Sequence, residues 1–325
     1  MAVVTSFMAS SSAQAALFYV SSVSSPNAIY AIDSATTTVM ASIPATNDTT
    51  SVAVSSDGSR AVVLEAGDTA GVIHVINTAT NIDSPIQIGA YAFSLALSVD
   101  GKTTYITFGL GGTPPHLSII DIGSKAVVQY VALPAQQNGL PFLALSADGK
   151  KLFLVDTSTT VLLVFDTTTL ATLASVTVPY AYYAVAASPS QPIAYAGGLA
   201  GNFSVVNANS YVAQPATQFD NLDIDSIAVT ADGKSIFLGQ YGRVLIVNAA
   251  TNALNGTMQL PSGSTAEGIA LSPDGKTVYV ADPGNGQVIV LDTTSLAVIK
   301  TIPVPGAYNI ATNALPYIPS TVPFA

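Results

Sequence analysis

Short apolar runs alternate with clusters of Asp, Gly, Ser and Thr along the chain, and one such run recurs. LSPDGKTVYVAD, from Leu271, returns as VSSDGSRAVVLE from Val54, LSVDGKTTYITF from Leu97, LSADGKKLFLVD from Leu145 and VTADGKSIFLGQ from Val229. A degenerate copy, ASPSQPIAYAGG, starts at Ala187. The turn residue falls at Asp57, Asp100, Asp148, Ser190, Asp232 and Asp274, spaced by 43, 48, 42, 42 and 42 residues. The long interval holds an insertion around Gly111-Gly112-Thr113-Pro114-Pro115. Asp-Gly between two apolar runs predicts a hairpin, because glycine accepts the positive φ of a tight primed turn. The flanking residues alternate, Ile269 and Leu271 before the turn and Val278 and Val280 after it, as strands do. A third run follows (QVIVLD, 287–292), then a Thr-Thr-Ser turn and a fourth run, LAVIKTIPV (296–304). Four short antiparallel strands in a period of about 42 residues describe a propeller blade.

Six anchors give six complete blades, and two fragments remain. Residues 17–44 read as strands two, three and four without a first strand. Tyr308-Asn-Ile-Ala-Thr aligns with Glu267-Gly-Ile-Ala-Leu, a first strand without the rest. Joined, they make a seventh blade and remove the exposed edges of an open array. The expected fold is therefore an all-β, seven-bladed β-propeller over residues 17–313, closed by its C-terminal strand. Residues 1–16 fall outside the repeat. Ala13-Gln14-Ala15 looks like a signal-peptidase site, but no Lys or Arg precedes it, so a residual signal segment and an N-terminal arm both stay open. Residues 314–325 form an apolar, proline-rich tail, expected either to pack on the propeller or to dock into a neighbour.

The Ser-x-Asp-Gly-Lys turns, Thr277-Val-Tyr-Val-Ala-Asp and Val288-Ile-Val-Leu-Asp-Thr-Thr resemble the YVTN-type β-propeller repeat family over about residues 17–313. The resemblance implies the fold. It implies little about activity, since that family includes surface-layer and cell-surface proteins and relatives of sugar lactonases and dehydrogenase subunits.

Composition narrows the chemistry. Nine Lys and Arg against nineteen Asp and Glu give a net charge of −10 with no basic stripe, which argues against nucleic acid and anionic membrane surfaces as partners. No cysteine is present, so disulfides, thiol catalysis and Cys-ligated metals are excluded. No run of 18 apolar residues calls for membrane insertion. Few Lys, many Ser and Thr, and the acceptors Asn47-Asp-Thr, Asn202-Phe-Ser and Asn255-Gly-Thr suit an extracytoplasmic protein, secreted, periplasmic or on the cell surface.

Strand alternation sorts residues onto two faces. The Asp-Gly turns carry Arg60, Lys102, Lys150, Lys234 and Lys276, each near an Asp. The opposite face is assigned Asp48, Glu65, Asp68, Asp156, Asp220, Asp223, Asp225, Glu267 and Asp282, with Arg243 as their only base. A field of one sign there would gather cations. Seven residues before the turn, where each first strand enters from the acidic face, stand Thr50, Phe93, Pro141, Tyr183, Asp225, Glu267 and Tyr308. Four residues before the turn every copy has Ala (53, 96, 144, 186, 228, 270 and 311), a packing demand. The diverse position is the candidate binding site: Phe93, Tyr183, Asp225, Glu267 and Tyr308, with Arg243 nearby. Tyr91, Tyr180 and Tyr182 would extend an aromatic floor suited to sugars or quaternary amines.

Asp225 and Glu267 fall on adjacent blades. With Asp223 they could ligate a divalent cation, Ca²⁺ or Mg²⁺, or work as an acid/base pair. Other chemistry is thin. The two histidines, His74 and His116, occupy non-equivalent places, and no Gly-rich phosphate loop or Gly-x-Ser-x-Gly elbow occurs. Three function classes stay open: a non-catalytic propeller presenting its acidic, aromatic mouth to a protein, carbohydrate or cation; a metal-dependent, lactonase-like hydrolase; and a structural surface or filament subunit. The scarcity of catalytic residue types favours the first.

Overall fold

The computed structural model describes residues 16–109, 115–134 and 139–312. Thirty strands run in chain order: β1 (Leu17–Ser22), β2 (Ala28–Asp33) and β3 (Thr38–Pro44); β4 (Thr49–Val54), β5 (Arg60–Glu65), β6 (Gly71–Asn77), β7 (Ile82–Asp83) and β8 (Ile86–Ile88); β9 (Ala92–Leu97), β10 (Thr103–Phe108), β11 (His116–Asp121) and β12 (Ala126–Ala132); β13 (Pro141–Leu145), β14 (Lys151–Asp156), β15 (Val161–Asp166) and β16 (Thr172–Thr177); β17 (Tyr182–Ala187), β18 (Ile193–Gly198), β19 (Asn202–Asn207), β20 (Val212–Ala213) and β21 (Thr217–Gln218); β22 (Ser226–Val229), β23 (Ser235–Gln240), β24 (Arg243–Asn248) and β25 (Leu254–Gln259); β26 (Gly268–Leu271), β27 (Thr277–Asp282), β28 (Gln287–Asp292) and β29 (Val298–Pro303); and β30 (Ala307–Thr312). They form seven sheets of antiparallel strands. In two blades the fourth strand is split into two short pieces, β7/β8 and β20/β21, that pair with one third strand.

The composite blade exists as expected, in the order β3-β2-β1-β30. Phe18 pairs with Thr312, Tyr19 with Ala311 and Val20 with Ile310. Counting this blade as the first, the second starts at β4 and the seventh at β26. The N-terminal arm, the Pro-rich tail and most of the Gly111–Pro115 insertion lie outside the described residues.

Seven apolar clusters hold the ring, one between each pair of adjacent blades. In β27, Tyr279 and Ala281 join the cluster shared with the first blade, while Val278 and Val280 join the one shared with the sixth. Both faces of the middle strands are therefore buried, so these strands read as continuous apolar runs rather than as apolar–polar alternation. The fourth strands are the outer edge, and β12 carries exposed Val127, Val128 and Tyr130.

The Asp-Gly turn differs from the expected two-residue hairpin. Gly58 N–H donates to Ser55 O and Ser55 N–H to Arg60 O, which makes a four-residue loop with Gly58 left-handed at φ 70°. The serine two residues before the Asp is what shapes it. Ser55 Oγ donates to Asp57 Oδ1 at 2.7 Å and accepts the Arg60 N–H at 3.0 Å. The same pair of bonds recurs at Ser98, Ser146, Thr230 and Ser272. These hydroxyls, with backbone N–H groups, hold the turn aspartates below the usual carboxylate range.

A second repeated device was not foreseen. Asp or Asn at the end of each third strand caps the next turn, and the residue four positions later is left-handed without being glycine: Thr37, Asn81, Lys125, Leu170, Tyr211, Asn252 and Leu296, at φ 50–58°. Asp292, for example, accepts the N–H groups of Thr294 and Ser295 at 3.1 and 2.7 Å.

Candidate functional site

The mouth of the central channel is built by one irregularity repeated around the ring. In the second blade Thr49 pairs with Glu65 and Ser51 with Leu64, so Thr50 is an extra residue, a bulge in the ladder. Phe93 and Tyr183 are extra in the same way. A bulge re-aims the side chain it carries. Asp225 and Glu267 occupy the corresponding places just before β22 and β26, their N–H groups held by Gly239 O at 2.9 Å and Ala281 O at 3.2 Å. Six of the seven mouth positions, Thr50, Phe93, Tyr183, Asp225, Glu267 and Tyr308, line one cavity of about 480 Å³.

The seventh position does not. In the fourth blade Pro141 pairs directly with Asp156 and Phe142 with Val155, with no bulge. The Pro141 ring is buried in the ladder and Phe142 turns to the cavity in its place. There it meets Phe93 edge to face, ring centroids 5.2 Å apart and planes at 84°.

Innermost-strand hydroxyls tie the blades together around this cavity. Leu95 N–H donates to Ser51 Oγ and Leu143 N–H to Ser94 Oγ, both at 3.2 Å, and Ser226 Oγ donates to Ala266 O at 2.5 Å. These bonds cross from one blade to the next, so the mouth is pre-organised by the closed ring.

Asp223 also faces the cavity, beside Asp225, with Ile224 between them fully buried on the other side. Asp223 Oδ1 accepts the Ala200 N–H at 2.7 Å. Among the described residues no protein hydrogen bond or ion pair reaches the side-chain carboxylate of Asp225 or Glu267. Burial, then the charge of Glu267 and then that of Asp223, push the Asp225 carboxyl up to about 7. Burial raises Glu267. Tyr308 is raised by burial and by the Glu267 and Asp225 charges, and Tyr183 by burial and by Asp223 and Asp225. A carboxyl that titrates near neutrality beside a second one can carry a proton or hold a cation.

The Asp225 shift sets a pH dependence. Because the folded-state value lies above the unfolded one, the native state keeps a proton that the unfolded chain releases, and stability falls as pH rises from about 4 to about 7. Asp225→Asn keeps the neutral form at every pH. It is expected to raise the melting temperature at pH 8 by roughly 1–3 °C, from about 1–2 kcal/mol after discounting for the open side of the cavity, and to leave it unchanged near pH 4. Scanning calorimetry of both proteins at the two pH values checks this; an equal offset at both would show that the carboxyl is not destabilised by its site.

Several expected participants are elsewhere. Arg243 does not line the cavity: its guanidinium donates to Asp220 Oδ2 at 2.6 Å and Gln240 Oε1 at 3.0 Å, and its reach is satisfied there. Tyr182 is buried and bonded to Ser204, Tyr180 is exposed, and Tyr91 sits in a left-handed turn, so none of these three joins the floor. Among the described residues no group of three or more His, Asp or Glu side chains converges closely enough to hold a metal ion, the Asp223, Asp225 and Glu267 set included.

The acidic face is also thinner than its sequence suggests. Glu65, Asp156 and Asp282 are 2%, 0% and 0% exposed. Each ends a second strand and pins the loop that leads into its own blade. Glu65 accepts the N–H groups of Thr46 and Asn47, Asp156 that of Gly139, and Asp282 that of Thr265. Gln240 fills the same place in the sixth blade, donating to Leu222 O at 2.9 Å. Of the three sequons, Asn202 is 3% exposed with its amide donating to Leu199 O, whereas Asn47 and Asn255 are exposed, the Asn47 amide donating to Glu65.

Among the described residues no helix is long and apolar enough to cross a membrane. No protein-family model matches the chain, and no curated protein sequence is similar to it. Solved structures do match. A functionally unknown protein from Desulfotomaculum acetoxidans DSM 771 superposes with a TM-score of 0.78 at 13% identity, over 91% of this chain and 98% of that one. Hydrazine synthase from Kuenenia stuttgartiensis gives 0.70 at 16%, over 82% and 90%. The dihydro-heme d1 dehydrogenase NirN, in complex with DHE, gives 0.66 at 13%, over 92% and 75%. At these identities the likeness is one of fold: the chain is a seven-bladed β-propeller.

Proposed function

We propose that the chain is an extracytoplasmic, non-catalytic binding propeller whose ligand enters the channel mouth. One observation carries this reading. The mouth position differs from repeat to repeat, while the position three residues further along is Ala in every copy, and six of the seven diverse side chains line a single cavity. Structural demands repeat with the blade; a side chain that must meet a ligand answers to its place around that ligand instead. The cavity volume falls in the usual range for small-molecule sites, about 300–1,000 Å³. The lysine-poor, Ser- and Thr-rich composition supports the extracytoplasmic setting.

The test is a thermal-shift panel of organic amines, sugars, carboxylates and the chlorides of calcium and magnesium, run on the wild type and on Asp225→Asn/Glu267→Gln. At about a hundred times its dissociation constant a ligand adds roughly 2.7 kcal/mol, a shift of about 4 °C. At least one class is expected to shift the wild type and to lose that shift in the variant. If no class shifts the wild type, or every shift survives the double substitution, the mouth is not the site.

A further inference from the structure

We propose that the mouth cavity takes an amphipathic organic ammonium ion, its charged end between Asp225 and Glu267 and its apolar end against Phe93 and Phe142. The proposal rests on reading the cavity as a ligand site and names the class of ligand. Around the seven-fold ring the lining side chains run Tyr308, Thr50, Phe93, Phe142, Tyr183, Asp225, Glu267. The gap between the sixth and seventh blades, where the two carboxylates sit, is diametrically opposite the third blade, which supplies Phe93. Tyr183 and Tyr308 stand one on each side of the carboxylate pair. The cavity thus has two unlike halves: an acidic half framed by phenol rings, and an apolar half made by the edge-to-face Phe93–Phe142 pair with Leu95 and Leu143.

Each half constrains the ligand. The carboxylates have no protein cation beside them among the described residues, since Arg243 is spent on Asp220 and the turn lysines lie on the other face. A cation brought there would be matched at once, and an ammonium group can also lie against the phenol rings. An anion would be repelled. A bare metal ion would find no converging set of three ligands and would leave the apolar half unused. A sugar could stack on Phe93 and Phe142 beside Thr50, Ser51 and Ser94, but it would bring no counter-charge to the carboxylate pair. An amine separated by a short linker from a ring or branched alkyl group satisfies both halves across the channel axis.

The experiment is titration calorimetry at about pH 8 with phenethylammonium, methylammonium and 3-phenylpropanoate, the last being the anion of similar shape. The expected result is a phenethylammonium dissociation constant near 0.1–1 mM, as suits a compound of about nine heavy atoms, with methylammonium at least tenfold weaker. Asp225→Asn/Glu267→Gln and Phe93→Ala should each weaken phenethylammonium at least tenfold, with Phe93→Leu as the conservative partner should the alanine variant fold poorly. Failure of phenethylammonium to bind up to about 10 mM, equal binding of 3-phenylpropanoate, or binding indifferent to both variants overturns the proposal. A sugar or carboxylate that binds the wild type but not the double variant would also overturn it, while leaving the mouth as a ligand site; indifference of every compound to the variants removes both readings.

Discussion

A chain cut after Val304, which removes β30, is expected to lose its cooperative thermal transition, whereas a chain cut after Asn313 keeps it. Comparing the two isolates β30 from the tail beyond it. β30 supplies the innermost strand of the first blade, and without it β1 presents an unpaired edge in the middle of the ring. Ile310 and Ala307, 3% and 0% exposed, belong to the cluster that joins the seventh blade to the first. Thr312 Oγ1 donates to Leu17 O at 2.9 Å, Ser22 Oγ to Pro305 O at 2.7 Å and Asn309 N–H to Ser21 Oγ at 3.0 Å. Losing one buried isoleucine side chain costs about 2–5 kcal/mol, and each orphaned buried polar group about 1–3 more, so the whole strand is worth as much as the net stability of a typical domain. A synthetic peptide spanning residues 305–313, added to the shorter chain, should restore the transition in proportion to its concentration. Circular dichroism melts of the two truncations, with and without peptide, read the outcome; a shorter chain that melts like the longer one would mean the ring does not depend on this seam.

The closure was legible because repeats expose what is missing from them: residues 17–44 lacked a first strand and Tyr308-Asn-Ile-Ala-Thr lacked its followers. The mouth was legible for a related reason, the contrast between an invariant Ala and a diverse neighbour three positions away. What was lost has physical causes. The bulges depend on backbone register, which one residue more or less changes without altering the apolar pattern, so Pro141 was placed at the mouth where Phe142 stands. Only the proline hinted at this, since Pro can donate no ladder hydrogen bond. The buried acids were misplaced by counting charge by face. Glu65, Asp156, Gln240 and Asp282 share one place in the repeat, eight residues after the turn. By the same logic that identified the alanines, that recurrence marks a structural role. His74 passed as an isolated residue because its partners, Glu65 and Asp83, each lie nine positions away, and only strand pairing brings them together.

That triad carries the second large effect. His74 is 5% exposed, with Nε2 at 2.9 Å from Glu65 Oε2 and Nδ1 at 2.7 Å from Asp83 Oδ2. Glu65 already accepts the Thr46 and Asn47 N–H groups and the Asn47 amide, so both its oxygens face donors. An imidazole can donate to two carboxylates only as the imidazolium. Burial works against that charge, but the hydrogen bonds and charges of Asp83 and Glu65 outweigh it and raise His74 above its ordinary value. His74→Phe replaces the imidazole with a somewhat larger apolar ring and removes the donor to the buried Glu65 and the half-buried Asp83. It is expected to cost about 3–5 kcal/mol, a fall in melting temperature of roughly 4–8 °C at pH 6. The pH dependence has a definite sign. The native state holds the proton more tightly than the unfolded chain, so the stabilisation is complete below about pH 6.5 and is lost as pH rises through the higher folded-state value. This window lies above the Asp225 window of about pH 4–7, so the two groups separate in one series of melts: Asp225→Asn flattens the lower slope, leaving the part that the raised Glu267 contributes, and keeps the upper one, whereas His74→Phe keeps the lower slope and removes the upper one. Melting curves from pH 4 to about 9 on the three proteins measure it. A His74→Phe protein that retains the alkaline slope would show that His74 is neutral in the fold and that the proton is not what holds Glu65 and Asp83 together.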